Sequence, residues 1–110
     1  MDRELKRGTL EMVILALLAG GDRYGYEIVT ELAVRTDGRF ELREGTLYPV
    51  LYRLEAAGLV EPYWQTQERG VPRKYYRMTR AGRASLAEQV GDWRSFVSAI
   101  DHVIGGSHDG

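Results

Sequence analysis

Residues 86–104 place the hardest constraint on this chain. Leu86, Val90, Trp93, Val97, Ile100 and Ile104 stand 4, 3, 4, 3 and 4 residues apart. That is the heptad alternation which keeps an apolar seam on one side of a helix. It predicts a long helix over about Arg80–Ile104. A chain of 110 residues builds one small core, and a small core leaves much of its surface in water. It has no spare surface to cover a seam of this length. A second copy of the chain is the expected cover, and the alternative is a helix folded back on its own domain. Gly91 falls inside this helix, where it costs about 1 kcal/mol relative to alanine.

The first helix strengthens the expectation. Leu10, Val13, Ile14, Leu17 and Leu18 recur at helical spacing, while Met12, Leu15 and Ala16 fill much of the opposite side. The helix, about Glu4–Ala19, is therefore apolar nearly all round and is expected to be buried on more than one face. Gly20-Gly21 ends it. Leu10, Ile14 and Leu17 are expected at a dimer interface with the six seam residues, each last helix packing on the first and last helices of its partner.

Between these helices the pattern changes. A second helix is expected over about Tyr24–Arg35, with Ile28, Val29, Leu32 and Ala33 facing inward. Asp37-Gly38 signals a turn, and Arg39-Phe40-Glu41-Leu42 alternates like a very short strand. A third helix is expected over about Thr46–Ala57, with Glu44-Gly45-Thr46 as its cap and Pro49 in its first turn. Leu59–Thr66 and Lys74–Met78 then form a hairpin around the polar, basic turn Gln67–Arg73. The whole is mainly α with a small β-hairpin: a winged helix-turn-helix domain over 1–79, a dimerisation helix over 80–104 and a flexible tail over 105–110.

The formal net charge is −1, but its distribution is uneven. Residues 1–38 carry 5 basic and 7 acidic side chains, residues 39–83 carry 9 and 5, and residues 84–110 carry 1 and 4. The middle third is thus basic between acidic flanks. It also holds the third helix, whose leucines Leu47, Leu51 and Leu54 point inward and whose outer face offers Thr46, Tyr48, Pro49, Tyr52 and Arg53. Hydroxyls and a guanidinium on one exposed face suit phosphates and base edges. The alternative is that the tyrosines pack on the hairpin and Arg53 pairs with Glu55 or a neighbour. The hairpin adds Arg69, Arg73, Lys74, Tyr75 and Arg77, with Tyr76 and Met78 directed inward by alternation. A basic tip of this kind can straddle a phosphate backbone, or can simply be solvated.

Glu44 through Val60, Arg73 through Gly82 and, more weakly, Tyr24-Gly25-Tyr26-Glu27-Ile28 resemble the motifs of PadR-like transcriptional regulators. The resemblance spans about residues 5–104 and points to the short subfamily with a single C-terminal helix. Met78 stands where the family usually has leucine, a swap of similar volume. The resemblance implies a dimeric repressor whose recognition helices enter successive major grooves, about 34–36 Å apart on a palindromic operator. It implies DNA contacts from Thr46, Tyr48, Pro49 and Tyr52 on the helix, and from Gly70, Lys74 and Tyr75 on the wing. Tyr24 would stand near the backbone at the start of the second helix. The alternative function is a winged module that binds protein.

Trp93, in mid-seam, is either a packing anchor or a platform on which a planar aromatic effector is held at the interface, with Phe96 and Val97 lining the same space. Enzyme chemistry is not expected: no phosphate-cradling glycine loop and no nucleophile–base pair is evident. Neither cofactor nor metal is expected, since Asp101, His102, His108 and Asp109 fall at or near a fraying tail. The chain has no cysteine, its longest apolar run, Met12–Ala19, is too short to cross a bilayer, and Met1–Arg7 lacks secretory features. A cytoplasmic protein is expected.

Overall fold

The computed structural model describes residues 3–67 and 69–105. Its elements are α1 (Arg3–Ala19), β1 (Arg23–Tyr24), α2 (Gly25–Arg35), α3 (Glu44–Ala56), β2 (Val60–Gln65), β3 (Arg73–Met78) and α4 (Arg80–Ile104). The strands form one antiparallel sheet in the order β1-β3-β2. The fold is the mainly helical winged helix that the pattern predicts, with one more strand than a hairpin.

α1 is the hub. It packs against α2, α3, β3 and α4, which explains its nearly continuous apolar surface without any partner subunit. Ile14 and Leu17, expected at the interface between subunits, are instead enclosed in the chain's own core with Leu15 and Leu18. Leu10 packs on the edge of the same cluster. The core is completed by Ile28 and Leu32 of α2, by Leu47, Val50, Leu51 and Leu54 of α3, and by Val60, Tyr76 and Met78 of the sheet. Burying side chains of this size stabilises the domain by about 1.5–3 kcal/mol each relative to exposure.

Two local expectations are corrected. Residues 39–42 form no strand. After Asp37 and Gly38 turn the chain through the left-handed region (φ 53° and 76°), the Thr36 hydroxyl accepts from the Phe40 N–H at 3.1 Å and Leu42 packs on the core. The alternation at 39–42 therefore reflects a single apolar anchor, with no strand beside it to form a ladder. The third strand is instead Arg23–Tyr24, paired with Tyr76 and Tyr75. α3 also begins two residues earlier than expected, with Arg43 as its cap and no side-chain capping bond. Pro49 consequently lies inside the helix, and has no N–H to offer the Gly45 carbonyl four residues back.

α4 is fastened at its first turn. The Thr79 hydroxyl accepts from the Gly82 N–H at 3.0 Å and donates to the Gly58 carbonyl at 2.7 Å. Gly82 sits so tightly on the Leu59 carbonyl and Met78 that a side chain has no room. Leu86 reaches the core. Beyond it the helix runs on through Gly91 without a break. The tail expected over 105–110 lies outside the described residues from 106 on.

Candidate nucleic-acid interface

α3 turns its leucines and Val50 into the core, so the helical period places Thr46, Pro49, Tyr52 and Arg53 in solvent. Tyr48 is half-buried. Its hydroxyl rests against Gly25, at the start of α2, where any Cβ would collide with it. Gly25 is thus required by a close approach between the two helices. Burial, Glu44 and Tyr52 together push the Tyr48 hydroxyl's pKa up, so it stays a neutral donor. Its ring centre lies 6.1 Å from that of Tyr52.

Arg53 behaves differently from expectation. Its Nε donates to Glu11 Oε2 of α1 at 3.2 Å. The guanidinium is therefore tied toward α1 while its side chain stays 44 % exposed, and the outward helix face presents hydroxyls, a proline and a tyrosine ring beside it.

The hairpin register sorts the expected wing residues onto two faces. Val60, Pro62 and Trp64 stand opposite Met78, Tyr76 and Lys74, and cross-strand partners share a face. The first pairs close the core. Lys74 lies past it, with Nζ 5.6 Å from the Tyr76 ring centre and 5.8 Å from that of Tyr52. The Lys74 ammonium thus bridges the wing and the exposed face of α3. Beneath it, the Tyr76 hydroxyl is buried with no hydrogen-bond partner among the described residues, and burial pushes its pKa up to about 12.

The other face of the sheet carries a row of tyrosines. Tyr24 meets Tyr75 edge-on at 5.3 Å, and Tyr75 stacks on Tyr63 at 5.7 Å with 18° between planes. Arg73 lies 4.5 Å over Tyr24 and Arg77 lies 4.9 Å from Tyr63. Tyr63 donates to Asp22 at 2.7 Å, which pushes its pKa up. Arg77 is paired with Glu61 at 2.9 Å, whereas Arg73 leans over Tyr24 at the start of α2. Gly70 takes φ 85° at the tip, a left-handed turn that favours glycine.

So Lys74 of the wing stands beside Tyr52 on the α3 face that also carries Thr46, Tyr48 and Pro49, and Tyr24, Arg73 and Tyr75 are grouped on the far side of the wing. Tyr63 and Trp64 carry no local sequence signal and become legible as site neighbours only once the strand register is known.

α4 presents a second surface. Trp93 is 45 % exposed, Phe96 51 % and Ile100 40 %, while Val90 and Val97 are half-buried and Ile104 is exposed. An open groove of about 280 Å³ runs between α1 and α4, lined by Gly8, Thr9 and Met12 on one side and Gln89, Asp92, Trp93 and Phe96 on the other. Trp93 and Phe96 line it; Val97 does not. Among the described residues no cluster of acidic or histidine side chains could hold a metal ion, and His102 Nδ1 donates to the Ser98 carbonyl of its own helix at 2.8 Å. No described helix is long and apolar enough to cross a membrane.

Comparison with known proteins gives a consistent result. The model of the Transcriptional regulator PadR-like family matches residues 14–88. An uncharacterized protein of Lysinibacillus sphaericus is 43 % identical over 98 residues, covering 89 % of this chain and 90 % of that one. A transcriptional regulator of Mycobacterium tuberculosis is 36 % identical over 104 residues, covering 94 % and 91 %. Among solved structures, a transcriptional regulator of Clostridium thermocellum superposes with a TM-score of 0.84 at 32 % identity, covering 94 % of this chain and 98 % of that one.

Proposed function

The chain belongs to the PadR-like family of transcriptional regulators, a family of DNA-binding proteins, and from that premise we propose that it is a repressor acting as a homodimer on a palindromic operator. The observation that carries this reading is the meeting of the exposed face of α3 with the wing at Tyr52 and Lys74. There Thr46, Pro49 and Tyr52 are exposed beside a lysine ammonium 5.8 Å from the Tyr52 ring centre. α3 would enter the major groove with its hydroxyls toward base edges, while Lys74 and Gly70 of the wing hold the phosphate backbone. Tyr24, Arg73 and Tyr75 would meet the backbone at the start of α2. The second subunit would cover Trp93, Val97, Ile100 and Ile104 of α4, with Leu10, Leu86 and Val90 at the margin.

A gel shift with duplex from the chain's own upstream region, run across a salt series, tests this. Log K should fall by about 0.9 for each neutralised phosphate per decade of salt. Failure to shift that duplex, or a shift that ignores salt, contradicts the reading and favours a winged module that binds protein.

A small planar ligand would act at Trp93 and Phe96 in the groove against α1, changing the angle between the two α4 helices and so the spacing of the recognition helices. Quenching of tryptophan fluorescence by a planar aromatic dye measures it. Trp93→Ala should abolish the quenching and leave only the Trp64 signal; equal quenching in both proteins rules the ligand role out. The same chain would operate in the cytoplasm.

A further inference from the structure

Trp64 has no part in the contacts assigned so far, yet 69 % of its surface is in water. Its position is set by the ladder. Val60, Pro62 and Trp64 alternate with outward residues along β2 and stand opposite Met78, Tyr76 and Lys74 of β3. Val60, Tyr76 and Met78 are buried, so the Trp64–Lys74 pair lies on the same face where the core has ended and the sheet projects past it. Lys74 is the cation whose ammonium lies between the rings of Tyr76 and Tyr52. Trp64 therefore stands on the α3 side of the wing, next to the charge that bridges wing and recognition helix. The register thus sets it beside Lys74, on the side of the proposed interface toward the hairpin tip.

An indole left this open in a free chain forgoes the burial that large aromatic side chains ordinarily gain. The occupant must match three properties of the place: apolar area for the ring, an acceptor for the indole N–H, and negative charge beside Lys74. Deoxyribose with its flanking phosphate has all three. We infer that Trp64 is a DNA-contact residue of the wing, laying its indole on the sugar of the backbone segment whose phosphate Lys74 holds. The inference rests on the DNA-binding reading above and adds to it an uncharged contact.

The distinction between ring and charge supplies the test. Wild type, Trp64→Ala and Lys74→Ala are titrated with the upstream duplex over a salt series, each melt being followed by circular dichroism. Trp64→Ala should melt like wild type, because the side chain is exposed. It should bind about tenfold more weakly, as expected for losing part of an aromatic contact, with the salt slope of wild type. Lys74→Ala should weaken binding and reduce the slope by about one. Trp64→Phe, which keeps Trp93, should recover part of the affinity and lose the fluorescence change that duplex causes in wild type. Binding by Trp64→Ala within twofold of wild type overturns the inference. So does a drop in its salt slope matching that of Lys74→Ala, since the indole would then only be positioning the lysine. A wild type that does not bind the duplex overturns the parent reading instead.

Discussion

The winged domain and the last helix treat their apolar residues in opposite ways. Between Ile14 and Met78, leucines, isoleucines, valines and one tyrosine meet from five elements and vanish from solvent. Along the 25 residues of α4 the buried residue is a glycine, Gly82, while Trp93, Phe96, Ile100, Val103 and Ile104 remain exposed. Both stretches carry regular apolar periodicity, so periodicity alone does not determine burial. The difference is whether the chain can fold back over the stripe. α1 is surrounded by four elements. α4 is fastened at its first turn by Thr79 and Gly82; its middle leaves an open groove against α1, and its last turn, with Val103 and Ile104, stands in solvent. The closed half holds the buried core, and the open half is where the proposed homodimer would seat its second subunit.

Four substitutions test this contrast. The largest effect is expected on the open face. Ile100→Asp should cost roughly 3–6 kcal/mol of association, because two-fold symmetry removes two apolar side chains worth about 1.5–3 kcal/mol each. Sedimentation should show a monomer whose helical content is preserved. A variant that stays dimeric would mean that the seam is not the interface. In the closed half, Leu51→Ala should lower unfolding stability by about 2–5 kcal/mol, through lost burial and the cavity left behind, as read by urea denaturation. A loss below 1 kcal/mol would mean that the core is looser than its packing implies. At the junction, Gly82→Val should cost about 1–3 kcal/mol by overpacking against the Leu59 carbonyl. It should also disturb the docking of α4, visible as weaker amide protection over residues 82–90. The smallest effect is expected from Arg53→Ala. Its ion pair with Glu11 is partly exposed, so a double-mutant cycle with Glu11→Ala should give less than about 1 kcal/mol. A larger coupling would make that pair a structural clasp between α1 and α3.

The same contrast explains what the sequence made legible. α4 begins and ends where its pattern predicts, because Thr79 and Gly105 bound a long periodic run. The outward face of α3 is also legible, since a helix whose leucines are committed to one side exposes the rest. Three features depend on contacts that are remote along the chain. β1 is only two residues long and has no period of its own; it exists because Tyr75 and Tyr76 lie beside it. Arg53 finds Glu11 from 42 residues away, which no local spacing reveals. Ile14 and Leu17 have the pattern of an interface, but it is the meeting of four elements around α1 that buries them. Trp64 shows the converse: nothing nearby in sequence marks it, and only the register with Lys74 gives it a place.

The proposed function has this chain work as a DNA-bound pair. Sedimentation velocity of the protein mixed with duplex from its own upstream region tests it most directly. A complex of two chains per duplex that dissociates as salt is raised is expected. A chain that sediments as a monomer, apart from the duplex at every salt concentration, would contradict it.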